Sequence, residues 1–362
     1  MRQRIADLNR PRQPDAERRE TGGLRRRSTR STADEARLPP GYHPPVIEEL
    51  IGRAADGDDD AIEELTEIGA ADPQRLSPYH ASLLDLDLLW PATLYQAANA
   101  DVVSRVIEQI DGGRTPDRLN HLLLILAHSA HPLAERALRR WSTQPPTGAD
   151  DLHVGVLSYA LEGGWTIGPD GNRRDLCADL AYRWVMRDGP APADRPACPW
   201  CASPLWVAAD LDTSDPTIRA ALAHTGWSGR LVIETCHFCA CYTTLYSRVT
   251  PSGATAWWAD NTRPSYLGGD AGPEDPPTLI PVPGPALASP YQASAWNQGG
   301  STLGGRPDWI QDAEHPDCPG CGEPMDYLGL IGGADLHEVG DGAYYLHLHQ
   351  PCGFAAVNYQ QS

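Results

Sequence analysis

Eight side chains in the second half of this 362-residue sequence have the types and spacing of metal ligands. Four lie in Cys198-Pro-Trp-Cys201 and Cys236-His-Phe-Cys239, and four in Cys318-Pro-Gly-Cys321 and His349-Gln-Pro-Cys352. Zinc prefers four donors at the corners of a tetrahedron, a preference met by two short turns that each offer two donors spaced by two residues. Each set supplies two such turns, with an imidazole in the second where the first has a thiolate. The likeness reaches past the donors. Pro204 and Pro324 follow the opening turns at the same distance, and each turn leads into a strand-like run, Leu205-Trp-Val-Ala-Ala or Met325-Asp-Tyr-Leu-Gly-Leu-Ile. Two further apolar runs, Leu231-Val-Ile-Glu-Thr and Tyr344-Tyr-Leu-His-Leu, deliver the second donor pairs. The spacing favours one zinc-ribbon unit used twice, each copy closed by a structural Zn2+ ion.

Other chemistries compete for the same residues. A Cys-Pro-x-Cys turn serves redox exchange when a neighbouring helix start lowers a thiol pKa, but nothing sets Cys198 on a strand-to-helix junction. Disulfides need an oxidising compartment, and no signal-peptide pattern is evident. A catalytic zinc would use Cys318, Cys321 and Cys352 with water in the fourth position, yet His349 stands at the spacing that fills it. Cys241 is near enough to compete with Cys239, which is preferred because it completes the two-residue spacing. Cys177 has no partner spacing and reads as a small buried apolar residue.

The elements that must position these turns follow from the apolar pattern. Residues 1–40 mix Arg, Pro, Ser, Thr and Asp with few large apolar side chains, a composition that cannot offset the entropy of ordering, so a disordered Arg-rich tail is expected. Residues 41–150 read as a helical domain. Val46, Leu50 and Ile51 fall on one helical face, as do Ile62, Leu65 and Ile68 after a run of aspartates placed to cap. Further helices are expected at about 91–99, 101–111, 116–129 and 132–142, joined by short Asp-, Gly- and Pro-rich connections. Successive short helices point to an α-solenoid of the HEAT or armadillo kind, with an irregular bundle as the alternative. His121, His128 and His131 read as packing or capping residues.

Residues 151–362 read as β-rich, with ribbon units at about 196–260 and 305–362. Trp165 to Leu176 carries the Asp170-Gly171 signal of a hairpin, whose tryptophan and paired arginines are expected to seal the seam between the helical and β parts. Cys241 to Val249 reads as a strand that turns through Pro251-Ser-Gly253 into Ala254-Thr-Ala-Trp-Trp258. Residues 262–308 are too long for a silent loop and are expected to wrap the β core or cover a groove. The fold class is therefore multidomain α+β.

Gly305-x-Pro307-x-Trp309-x-Gln311, the Cys318-Pro-Gly-Cys321-Gly turn and the final Tyr344-Tyr-Leu-His-Leu-His-x-x-Cys352-Gly together resemble the carboxy-terminal part of YwqG-like proteins and of the related eukaryotic proteins called programmed cell death protein 2. The likeness covers residues 155–362, is strongest in the last sixty, and does not reach the helical region. It implies a protein-binding domain of the chaperone or immunity kind, with no catalytic set. His349 stands where many such proteins carry cysteine.

Charge narrows the partner. The net charge is −19 and every basic side chain is arginine, which excludes a Walker phosphate loop, a lysine Schiff base and a pyridoxal site. Residues 1–38 hold 11 Arg against 6 acids, leaving −24 on the remainder. Such a body repels phosphate backbones and fits a basic protein or peptide. No apolar run has the length, about 18 residues, that spans a bilayer, so a cytoplasmic binding protein with structural zinc is the leading expectation. A zinc enzyme built on the second set is the first alternative. A nucleic-acid binder that uses the arginine tail with exposed Trp257 and Trp258 is the second.

Overall fold

A computed structural model describes residues 46–113, 116–189, 195–267, 275–336 and 342–362, so the expected tail at 1–40 lies outside the described residues. The first half is helical: α1 (Ile47–Ala55), α2 (Asp59–Ala71), α3 (His80–Asp85), α4 (Ala100–Asp111), α5 (Leu119–Ser129) and α6 (Pro132–Thr143). Capping sets their starts. The Asp58 carboxylate accepts from the amides of Asp60 and Ala61 ahead of α2, and Asn99 accepts from Val102 at the start of α4. The His131 Nδ1 accepts from Leu133 N at 3.1 Å ahead of α6, with Pro132 in the first helical position, so this histidine is a cap. Helix α5 is apolar on nearly every face, and Leu122 to Ala127 are all buried, which makes it the centre of the helical core.

Two expectations in this half need correction. Residues 91–99 form only a 3₁₀ turn at Ala92–Tyr95, because Ala97 is left-handed and Asn99 must be extended to cap α4. Val46 is exposed at the lip of α1, and only Leu50 and Ile51 of the expected face are buried.

The hairpin β1 (Trp165–Ile167) and β2 (Arg173–Asp175) does seal the seam. The Trp165 ring is fully buried in the helical core, and its Nε1 donates to the Ala127 carbonyl at the end of α5 at 3.1 Å. Gly163 permits this approach, since a Cβ there would stand 2.0 Å from the same carbonyl oxygen. Arg173 donates to Ala130 O in the helical half, whereas Arg174 donates to Asp326 and Pro324 O in the β half. Trp165→Ala is expected to cost about 3–5 kcal/mol through the cavity and the orphaned carbonyl. Chemical denaturation followed by circular dichroism measures it, and a cost below about 1 kcal/mol would contradict the seam.

The β half is built on an antiparallel sheet. It contains β3 (Ala181–Asp188), β6 (Leu245–Val249), β7 (Thr255–Trp257), β8 (Leu279–Ala286), β9 (Thr302–Gly304), β10 (Asp326–Gly332), β11 (Gly342–His349) and β12 (Phe354–Gln361). Its order is β7-β6-β12-β11-β10-β9-β3-β8. Strand β8 carries Pro281, Pro283 and Pro285, which lack the amide an interior strand needs, and it accordingly lies at an edge. A separate pair, β4 (Trp206–Asp212) and β5 (Arg230–Thr235), is joined through the short helix α7 (Pro216–Ala221) and packs on one face of the sheet. There Trp206 meets Tyr344 edge-on at 5.1 Å.

The described parts of the long Gly- and Pro-rich stretch wrap the core, one of the two expected outcomes, while also donating β8 and β9 to it. Trp296, Trp309 and Ile310 cover the opposite face of β10 and β11, where Trp309 stacks on Tyr345 at 4.7 Å. Both faces of the central strands are thus buried, which explains their nearly unbroken apolar sequence.

Candidate metal centres

The two opening turns are the same structure. Ahead of β4, Cys198 N donates to Ser203 O at 2.7 Å, Ala202 N to Cys198 O at 3.0 Å and Leu205 N to Pro196 O at 2.8 Å. Ahead of β10, Cys318 N donates to Glu323 O at 2.8 Å, Gly322 N to Cys318 O at 2.8 Å and Met325 N to Pro316 O at 2.9 Å. Both turns pass through a left-handed residue, Ala202 at φ 64° and Gly322 at φ 79°. Pro204 bridges to Ala197 as Pro324 bridges to Asp317. In each turn a backbone amide points at the first sulfur, from Trp200 to Cys198 Sγ and from Gly320 to Cys318 Sγ, both at 3.4 Å. Such donors stabilise thiolate over thiol.

The duplication extends into the strand pairs. Pairing of β4 with β5 slips between Val207 and Ala209, and pairing of β10 with β11 slips between Tyr327 and Gly329, the corresponding place. Each bulge lies just past the turn, and Thr235 and Leu348, which pair with Trp206 and Asp326, immediately precede Cys236 and His349. The second donors follow on a helical turn, α8 (His237–Ala240) for Cys239 and a 3₁₀ turn at Gln350–Cys352 for Cys352.

The donors converge as the spacing predicts. Cys198, Cys201, Cys236 and Cys239 offer four sulfurs within 4.8 Å of one another, and Cys318, Cys321, His349 and Cys352 offer four donors within the same limit. Cys198 Sγ lies 3.8 Å from Cys239 Sγ, and Cys201 Sγ lies 3.5 Å from Cys236 Sγ. A tetrahedron with metal–sulfur bonds of about 2.3 Å has sulfurs about 3.8 Å apart, so the donor set fits such an ion. In the second set Cys321 Sγ lies 3.7 Å from His349 Nε2. Nine cysteines are present and none is joined in a disulfide; the donors gather in fours, as a metal ion requires, and not in the bonded pairs of the disulfide reading. Both sets could hold a metal ion, and no third such group occurs among the described residues.

The electrostatics follow from crowding. Cys198 is held far below the usual thiol range by side-chain hydrogen bonds with Cys236 and Cys239 that favour its thiolate, and the hydrogen bond each of those two makes with Cys198 favours their protonated forms and pushes them up. Burial comes first in the second set, raising the Cys318 thiol to about 12 and lowering His349. The two sets differ in access. All four donors of the first are buried, whereas in the second Cys321 is exposed and Cys352 half-buried.

Other sequence candidates fall outside the centres. Cys241 contacts His237 O and the Tyr344 hydroxyl, and Cys177 is buried beside Tyr327, Leu330 and Tyr345. The expected strand from Cys241 begins only at Leu245, because the preceding residues close the donor turn. Trp257 and Trp258 are half-buried against Trp200, Tyr246 and Phe354, which corrects their expected exposure. Sequence reasoning missed Arg248, which donates to Cys352 O at 3.0 Å and lies 3.8 Å over the Phe354 ring beside the second centre. No local spacing announces it.

Comparison with known proteins places one relative beside this chain. It is 27% identical over 289 residues to the Salmonella typhimurium (strain LT2) protein named uncharacterized protein YpfL, in an alignment covering 77% of this chain. The chain spans 66% of that relative's length, just under two thirds. No protein-family model and no solved structure matches it.

Proposed function

We propose that this chain is a binding protein whose β half is held by two structural zinc ions and whose partner is a basic protein or peptide. The observation that carries the reading is that each centre is closed by four protein donors from a duplicated turn-and-strand unit, which leaves no coordination position for a reacting water. Zinc fits better than a hard cation because seven of the eight donors are thiols. Each turn with its bulged strand pair then reads as a zinc ribbon, the helical half as an irregular HEAT-like stack, and the β half as a YwqG-like domain. No helix among the described residues is long and apolar enough to cross a membrane.

The acidic body favours a basic partner, and the half-buried state of Trp257 and Trp258 leaves less ring surface for the stacking that nucleic-acid binding invoked. Affinity capture with the full chain, followed by a salt gradient, tests the proposal. A basic protein is expected to copurify and to leave as salt screens the contact. Recovery of RNA alone, or of a partner held equally at all salt concentrations, would overturn it.

A further inference from the structure

A cavity of about 210 Å³ opens where the helical half meets the β half. Its apolar wall includes Pro91, Leu124 and Leu161, and its rim includes Trp90 and Val154, which are 47% and 44% exposed. Glu162, Asp312 and His128 are among the polar lining residues. Glu162 belongs to the Leu-Glu-Gly-Gly-Trp segment that forms the seam, and its Oε1 accepts a hydrogen bond from Ala313 N at 3.1 Å. Among the described residues no cation pairs with this carboxylate. The nearby Arg306 lines a smaller adjoining cavity, where it donates to Gly163 O at 2.5 Å and to Asp179 at 3.3 Å.

Burial, reinforced by the Asp312 charge, pushes the Glu162 carboxyl up to about 7, while burial and Arg306 hold His128 near 4 and therefore neutral. The cavity thus holds an acid without a counter-ion, flanked by apolar walls that lead to an apolar rim. Its volume falls below the roughly 300–1,000 Å³ of sites for whole small ligands, which limits an occupant to about the size of one side chain.

We propose that this cavity receives a cationic head on a short apolar stem, an alkylammonium or alkylguanidinium, with the Glu162 carboxylate as its counter-ion. The expectation of a cation rests on the basic-partner reading, in which the group would be a lysine or arginine side chain; a free amine presents the same chemistry. Hydrogen bonds between such a head and an ionised carboxylate outweigh those of a neutral head, and the methylene stem gains by leaving water along Leu124 and Leu161.

The test uses ligand-observed NMR on the full-length chain with butylammonium, butylguanidinium, their neutral counterpart valeramide, and blocked Gly-Lys-Gly and Gly-Arg-Gly peptides. A cationic probe is expected to bind at least about tenfold more tightly than its neutral counterpart, and Glu162→Gln, which keeps the acceptor for Ala313 N, is expected to erase that preference. Valeramide binding as tightly as the amines, or cations binding Glu162→Gln as they bind the native chain, overturns the inference. Val154→Trp at the exposed rim provides a second variant: with unchanged circular dichroism it is expected to lose the cationic probes, and retention of them overturns the site. Binding by the peptides but not the free amines assigns a partner's side chain, and the reverse assigns a free amine. If the native chain retains a basic protein while no cationic probe binds, the cavity inference alone fails. If the probes bind while no basic protein is retained, the partner reading alone fails.

Discussion

Cys236→Ser is expected to remove one metal equivalent from the purified protein and to unfold its β half. The residue is fully buried, its sulfur lies 3.5 Å from Cys201 Sγ, and it accepts from Cys239 N at 3.4 Å. The preceding Thr235 pairs with Trp206, whose ring packs on Tyr344 in the large sheet, so a loosened turn is transmitted directly into the main core. Structural zinc sites contribute about 10–16 kcal/mol of binding free energy at neutral pH, whereas a whole domain is stable by only about 5–15 kcal/mol. Loss of such a centre therefore exceeds what the β half can absorb. Cys177→Ala supplies the control: this thiol is equally buried but belongs to neither set, and its replacement is expected to cost about 1 kcal/mol and to leave the metal content unchanged. Elemental analysis combined with denaturant unfolding separates the cases. A Cys236→Ser protein that keeps both metals and its native midpoint would refute the structural role of the first centre.

The centres were the most legible part of this sequence because metal ligation demands particular residue types at short spacing. That demand showed in all eight donors, and the repeated Pro204 and Pro324 marked turns whose hydrogen bonds coincide. The bulges at Val207 and Tyr327 were not legible, since a one-residue slip leaves no compositional trace in an apolar strand. Helix existence was readable wherever the apolar period was clear, as in α4 and α6. Residues 91–99 misled because their apolar positions serve packing: Leu94 and Tyr95 are buried from a 3₁₀ turn, and the Tyr95 hydroxyl donates to Leu88 O at 3.0 Å. Tertiary contacts there replace helical propensity.

Long-range partners were the least legible. Trp165 announced a seam by its type and by the paired arginines of its hairpin, yet nothing local named Ala127 as its acceptor 38 residues away. The motif Gly305-x-Pro307-x-Trp309-x-Gln311 is similarly explained only by the fold. Arg306 within it binds the seam through Gly163 O, Trp309 lies on Tyr345, and Gln311 grips the end of β12 by donating from its backbone N to Gln360 Oε1 and from its side-chain amide to Gln361 O. A motif that drew attention as a family mark is thus a strap across the sheet. The cavity beside Glu162 was invisible for the same reason, since its wall comes from four separate stretches of chain.

Chelation is expected to empty the second centre before the first. A chelator removes a structural ion donor by donor, so the first step needs solvent access to at least one ligand or a local opening that grants it. In the second set Cys321 is exposed and Cys352 half-buried, which offers that access in the folded state. The first set has no donor more than 5% exposed, and its opening requires α8 and the β4–β5 pair to leave the face of the sheet. Metal release into excess chelator is therefore expected in two phases of about one equivalent each, the slower by at least about tenfold, a ratio that corresponds to only 1.4 kcal/mol of opening free energy. Iodoacetamide present during the fast phase is expected to mark Cys321 and Cys352, while Cys236 and Cys239 stay unmodified until the slow phase, as peptide mass spectrometry would show. His349→Cys separates access from donor identity. Because exposure and not the imidazole sets the order, this all-thiolate second centre is expected to release its ion first as well. A single phase would show that both centres open together and that the two copies of the unit share one cooperative core, and labelling of Cys236 ahead of Cys321 would show that exposure does not set the order.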